Sequence, residues 1–364
     1  MDEKQERMTK QTRKKGAVWL VLALLLGVIT LPCFALGVAV DKTTEPLAQS
    51  STAESAPESA APEPESNAAA PQEVVSTEPE PKMTGSFHIL NTETDEVFEV
   101  DDRTFVIGTV AAEIAPTYHP EAIKAQAVAA YTYYSSLRQT QAETPNAALK
   151  GADFSASPTQ GLTYVTKTQL EQRWGDKFAE YYGAIETAVD AVLGQTLQQN
   201  GALITATYYA ISGGTTEDAK EVFGNARSYL VPVASPGDVY AQGYRTVKTL
   251  TAEEFKAAVQ NTWGNALEGN PSTWVGTVTN DASGYVASIT IGGQVRKGTQ
   301  ARTAFGLRSA NFAVTYTDGV FTFDVKGYGH GVGMSQVGAQ YMAEQGAAYH
   351  EILAWYYPNT ELVK

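Results

Sequence analysis

Cysteine is almost missing from this 364-residue chain, and the only one, Cys33, lies inside a long apolar run. The part that follows therefore has no disulfide, and no thiolate to serve as nucleophile or zinc ligand. Histidine is scarce too: His88, His119, His330 and His350 are the four, scattered along the sequence. Basic residues number 26 against 40 acidic ones, for a net charge of −14, and no basic stripe follows the apolar run. Binding to phosphate backbones needs such a stripe, so no nucleic-acid partner is expected; a neutral or mixed-charge polymer fits better.

What is present divides the chain into four stretches. Residues 1–15 carry Lys4, Arg7, Lys10, Arg13, Lys14 and Lys15. Gly16 to Val40 is 25 residues without a charge. At about 1.5 Å per residue this exceeds the roughly 30 Å hydrocarbon core of a bilayer. A cleaved signal peptide is the alternative, but its apolar region is usually about 7–15 residues. Read as a span, 16–40 is a transmembrane helix, and the preceding basic residues put the N-terminus in the cytoplasm and the rest outside. Residues 41–85 are built of Ala, Ser, Pro and Glu, with Pro57, Pro62, Pro64, Pro71, Pro79 and Pro81. So few large apolar side chains cannot offset the entropy of ordering, and a disordered tether is expected.

From residue 86 the pattern turns globular. Phe87, Ile89 and Leu90, then Val97, Phe98 and Val100, then Phe105, Val106, Ile107 and Val110 read as short strands entering a helix. Pro120 suits the first turn of a helix reaching about Leu137, and a second helix is expected from Thr168 to Leu193. Leu203 to Ile211 reads as a buried strand, and Trp274 to Ile291 as a hairpin turning at Asp281 to Gly284. Further helices are expected over Ala252 to Trp263, Ser335 to Gln345 and Tyr349 to Tyr357. The fold class is α+β.

Three segments place polar residues where they are costly. In Val110-Ala-Ala-Glu113-Ile-Ala-Pro116, a lone carboxylate sits among apolar residues just ahead of an alanine-rich helix. Burial raises a carboxyl pKa, as a general acid working near neutral pH requires; a helix cap or surface charge is the alternative. In Tyr208-Tyr-Ala-Ile-Ser212-Gly213-Gly214-Thr215, adjacent glycines let the backbone turn tightly, while Ser212 and Thr215 offer hydroxyls to sugar oxygens. An ordinary turn is the bland reading there. In Gly327-Tyr-Gly-His330-Gly-Val-Gly-Met-Ser335-Gln336, alternating glycines deliver His330, Ser335 and Gln336 to the start of a helix. A lone histidine is more often structural than catalytic. No nucleotide-binding spacing accompanies these glycines, so a phosphate loop is rejected.

Taken jointly and in this order, with Tyr229-Leu-Val-Pro-Val233 and Lys297 to Ser309, the segments resemble the stage II sporulation protein D family over about three quarters of the chain. The resemblance implies an exported domain, residues 86–364, of two lobes with a cleft between them. It implies a lytic transglycosylase acting on peptidoglycan glycan strands, with other sporulation cell-wall proteins as candidate partners. Glu113 would protonate the glycosidic oxygen between N-acetylmuramic acid and N-acetylglucosamine, then accept a proton from the C6 hydroxyl as a 1,6-anhydro ring closes. A water-using glycosidase normally needs two carboxylates, whereas this intramolecular attack needs one. Ser212, Gly213, Gly214, Thr215, His330, Ser335 and Gln336 are the candidate substrate-binding residues. The family also holds amidase enhancers, so a non-catalytic glycan-binding module stays open, as does a purely structural member of a sporulation complex.

Two departures matter. Tyr131 stands where many members carry an arginine, and Ser155, Gln160 and Gly161 replace a Cys, His and Cys that can bind zinc in relatives. These are not competent tetrahedral zinc ligands, so no metal and no cofactor are expected. A chelator should therefore leave thermal stability and activity of the purified protein unchanged; stoichiometric zinc by elemental analysis would refute this.

Overall fold

The computed structural model of the protein describes residues 85–157 and 163–364. The expected transmembrane stretch, nearly all of the tether, and Gln160 and Gly161 lie outside these residues. Among the described residues no helix is long and apolar enough to cross a membrane.

The chain enters through β1 (Ser86–Asn91) and β2 (Val97–Asp101), an antiparallel pair that β3 (Phe154–Ala156) extends in parallel on the β1 side. Ser155 sits in β3 opposite Leu90. Between these strands come α1 (Asp102–Glu113) and α2 (Pro120–Glu143). The Asp101 carboxylate starts α1 by accepting the Thr104 N–H at 2.9 Å. Phe105, Val106, Ile107 and Val110, expected as strand, belong to this helix. The helix is buried along most of its circumference, which hides the 3.6-residue period that would have announced it. At its start the buried Asp102 takes Tyr131 Oη at 2.9 Å and Arg138 Nη1 at 2.9 Å. Tyr131 thus serves the packing of α2 on α1.

The helix expected from Thr168 to Leu193 is two, α3 (Lys167–Trp174) and α4 (Phe178–Val192), parted at Gly175, where φ is +50°. Next come β4 (Thr196–Gln199), β5 (Ala202–Leu203) and β6 (Tyr208–Tyr209), then α5 (Ala219–Phe223) and β7 (Arg245–Thr251). The single strand expected over Leu203–Ile211 is therefore two short pieces serving different sheets. Its apolar run reports burial, not pairing. Then α6 (Ala252–Trp263), β8 (Val275–Asn280), β9 (Val286–Ile291), β10 (Gln294–Lys297) and α7 (Gly298–Phe305) follow. The expected α6 and the β8–β9 hairpin are present. β11 (Phe312–Thr317) and β12 (Val320–Lys326) form a sheet with β7, and β13 (Met334–Ser335) pairs in parallel with β6. The chain ends with α8 (Gln336–Glu344), α9 (Tyr349–Tyr356) and β14 (Glu361–Val363). The class is α+β, as expected.

The described residues bury two separate apolar clusters. One gathers α1, α2, α4, α8 and α9 around Phe87, Phe105, Ile123 and Ile185. The other stacks aromatic rings from α6, α7 and the β11–β12 sheet, with Phe255 and Phe321 centroids 4.0 Å apart.

The loop from Gly327 to Gly333 is laid against the stretch from Thr207 to Glu217. Tyr328 and Ile211 exchange backbone bonds at 2.7 and 3.0 Å, Met334 N–H reaches Thr207 O at 3.1 Å, and Glu217 N–H reaches Gly331 O at 2.7 Å. This contact is so close that a Cβ on Gly333, at φ +81°, would sit 2.0 Å from the Thr207 carbonyl oxygen. Gly333→Ala should destabilise the protein by at least about 2 kcal/mol, the left-handed penalty of roughly 1–2 kcal/mol plus the displaced carbonyl. A denaturant midpoint unchanged from wild type would disprove the close approach.

Candidate functional site

Glu113 is the last residue of α1, at the end where the helix dipole is negative and disfavours a carboxylate. One donor is seen on it: Gln336 Nε2 at 3.1 Å from Oε2. The phenols of Tyr134 and Tyr208 lie close enough to sense its charge, and Tyr134 is itself bonded to Thr163 and Tyr208. Burial pushes the Glu113 carboxyl up to about 7, against the opposing pull of the Gln336 amide. It can therefore hold a proton at neutral pH and still part with it.

Gln336 reaches Glu113 because α8 is fixed at its first turn. Ser335, the N-cap, accepts the Gly338 N–H at 3.2 Å and donates to Asp238 Oδ1 at 2.5 Å. That carboxylate also accepts the Ser212 N–H at 2.7 Å and the Ser235 hydroxyl, which lies 2.6 Å from Tyr356 Oη. Burial pushes Asp238 up to about 6, restrained by these donors. Asp238 thus joins the second and third sequence segments at one point.

Sequence reasoning expected Ser212 and Ser335 to touch sugar; the structure buries both completely and directs the Ser335 hydroxyl and the Ser212 N–H to Asp238. The Ser212 hydroxyl accepts the Gly214 N–H at 3.1 Å. Gly213, Gly214 and Thr215 are half-buried, and the Gly213 carbonyl takes Tyr244 Oη at 3.0 Å. His330 is partly buried: Val332 N–H donates to its Nδ1 at 3.1 Å, and its Nε2 lies 3.0 Å from the Tyr208 carbonyl oxygen. With Nδ1 accepting, the ring is neutral and Nε2 donates. Burial lowers its pKa to about 3, so it carries no charge at neutral pH. Of the expected residues, Gln336 alone is bonded to Glu113, and His330 follows indirectly through Tyr208.

Asp238, Tyr134 and Tyr208 were not singled out as site residues. The tandem tyrosines Tyr133-Tyr134 and Tyr208-Tyr209 were a usable signal. Asp238 was not legible, since an aspartate after Ser-Pro-Gly reads as an exposed turn. Among the described residues no group of three or more His, Cys, Asp or Glu is arranged to hold a metal.

The fold and this site define a mixed α+β domain that holds one carboxyl, raised by burial, against an amide and two phenols. A sequence model described as "Stage II sporulation protein" matches residues 90–198. Stage II sporulation protein D of Bacillus subtilis (strain 168) is 35% identical over 281 residues, covering 76% of this chain and 78% of that one. The protein of the same description from Bacillus amyloliquefaciens is 36% identical over 279 residues, with the same coverage. The amidase enhancer of Bacillus subtilis (strain 168) is 27% identical over 304 residues, 70% of this chain and 40% of that one. The chain belongs to the stage II sporulation protein D family.

Asp238→Ala leaves three buried donors without their acceptor, each costing about 1–3 kcal/mol. Urea unfolding should show a loss of about 3 kcal/mol or more. Stability within about 0.5 kcal/mol of wild type, the range of ordinary surface substitutions, would show that the two segments do not depend on it.

Proposed function

We propose that this protein is a peptidoglycan lytic transglycosylase of sporulation, held to the membrane by residues 16–40 with its folded region outside the cytoplasm. The observation that carries the reading is the single carboxyl of Glu113, raised to about 7 by burial beside Gln336, Tyr134 and Tyr208.

Protonated Glu113 donates to the glycosidic oxygen as the bond from C1 of N-acetylmuramic acid breaks. The resulting carboxylate takes the proton of the same sugar's C6 hydroxyl while that oxygen bonds to C1. The proton count closes without water, and Glu113 ends a cycle protonated. Gln336 orients the carboxyl and lends a hydrogen bond to its charged form midway. Tyr134 and Tyr208, both neutral because burial holds their pKa values well above the usual range, supply a hydroxyl-lined wall. Gly213, Gly214 and Thr215 are the half-buried candidates for contact with the glycan in a cleft. Ser212, Ser335 and His330 act by positioning: the first two through Asp238, the third by fixing the Tyr208 backbone.

The similarity to an amidase enhancer favours a second reading, in which the region binds glycan without cutting it. Digestion of peptide-free glycan strands followed by mass spectrometry separates the two: 1,6-anhydro ends support cleavage, and intact strands with retained binding support the enhancer.

Glu113→Gln keeps the shape and removes the proton, so anhydro products should vanish while binding persists. Wild-type kcat/KM should fall as pH rises through about 7, because the acid form is lost. The linkage has a definite sign. A folded-state pKa raised from 4.5 to about 7 means the native protein binds the proton more tightly, so its contribution is complete below about 4.5 and lost as pH rises through about 7. Glu113→Gln should accordingly be more stable than wild type at pH 8 by roughly 3 kcal/mol. Residual anhydro products, or equal stability at pH 8, would count against a buried catalytic acid.

A further inference from the structure

Another buried carboxyl, Glu217, lies outside this machinery. Glu217 follows the Gly213–Gly214 turn, bridges to Val332 in parallel register and is only 3% exposed. Its Oε1 accepts the Asp218 N–H at 2.7 Å, while the buried Oε2 meets no donor from the protein and has only the acidic Asp281 side chain, with which it can share a proton. An unmatched buried carboxylate oxygen is costly unless a ligand or proton meets it.

Glu217 lines a small, solvent-open cavity whose wall includes Glu221, Asp281, Tyr285, Lys297 and His330. Three carboxyl groups face one lysine, and His330 is neutral, so the cavity favours a cation. Asp281 is held in place by the N–H groups of Ser283 and Tyr285, at 2.9 and 3.0 Å on Oδ1. Burial, then a hydrogen bond shared with the Asp281 carboxyl, pushes Glu217 up to about 8, so in the empty cavity the pair holds a proton at neutral pH. A bound cation would replace that proton. Metal-holding clusters are absent among the described residues. A primary ammonium asks only for acceptors and brings three donors.

We propose that this cavity binds a primary ammonium group of the cell-wall polymer, on an amino sugar lacking its acetyl group or on the diamino acid of a stem peptide, with Glu217 and Asp281 as acceptors. The choice of polymer rests on the function proposed above; the recognition of an ammonium group does not.

Calorimetry on the full chain at pH 7 tests it with four probes. These are a glucosamine oligosaccharide, its N-acetylated counterpart, a stem tripeptide ending in a diamino acid, and that tripeptide with its side-chain amine acetylated. One amine-bearing probe should bind about tenfold or more tightly than its acetylated counterpart, the equivalent of one charged hydrogen bond. Which pair shows the preference identifies the source. Glu217→Gln, which mimics the protonated side chain, should erase the preference while leaving cleavage of acetylated, peptide-free glycan unchanged.

Titrations of wild type in two buffers of different ionisation enthalpy should also reveal release of a proton on binding, which decides the matter should the variant not fold. No preference, a preference that survives Glu217→Gln, no proton release, or calcium binding of equal strength overturns the proposal. A preference in a protein that cleaves nothing would retain the ammonium site and remove the transglycosylase.

Discussion

A carboxylate with no exposure to solvent, Asp238, holds the site together. It stands 97 residues from Ser335 and 26 from Ser212 in sequence, and both bond to it, as does Ser235. A buried charge is tolerable only when its lone pairs are taken, and here three donors from three different segments take them. The direction of α8 follows from this, because Ser335 is both its N-cap and a ligand of Asp238. The Gln336 amide follows in turn, since it is the first residue of that helix.

Three carboxyl groups are pushed upward by desolvation, each to an extent set by its neighbours. Asp238, with three donors, is raised to about 6; Glu113, with one amide and a helix C-terminus behind it, to about 7; Glu217, with one backbone donor and an acidic neighbour, to about 8. Burial drives all three upward; donors restrain it at Asp238 and, less, at Glu113, while at Glu217 the hydrogen bond to Asp281 adds to it. Abundant donors suit a structural anchor. A single donor leaves a group that can exchange its proton near neutrality, the property a general acid needs.

Membership of the stage II sporulation protein D family fits this arrangement. The model match covers residues 90–198, which include Glu113, Tyr134 and β1 to β4 in part, while Asp238, Gln336 and Glu217 lie beyond it. The longer alignments with the Bacillus proteins cover 76% of the chain.

Much of the fold was legible. The helix over Ala252–Trp263 carries its own boundary in the Thr251–Glu254 capping box, and the β8–β9 hairpin carries its turn in Asp281 to Gly284. Local signals of that kind survive without tertiary context. The α1 helix did not, because a segment apolar on nearly every face has no period to read. Glu113 was identifiable as a carboxylate in an apolar setting, and the converging segments were identifiable by their glycines. What the sequence alone determined, then, is where many of the elements begin and end, and that Glu113 is a carboxylate in an apolar setting. Only the tertiary structure decided that Ser212 and Ser335 turn inward to Asp238 while Gln336 meets Glu113, and which carboxyls keep their protons. Side-chain direction and pKa depend on neighbours distant in sequence and on the water they exclude, and neither is written in any local stretch of chain.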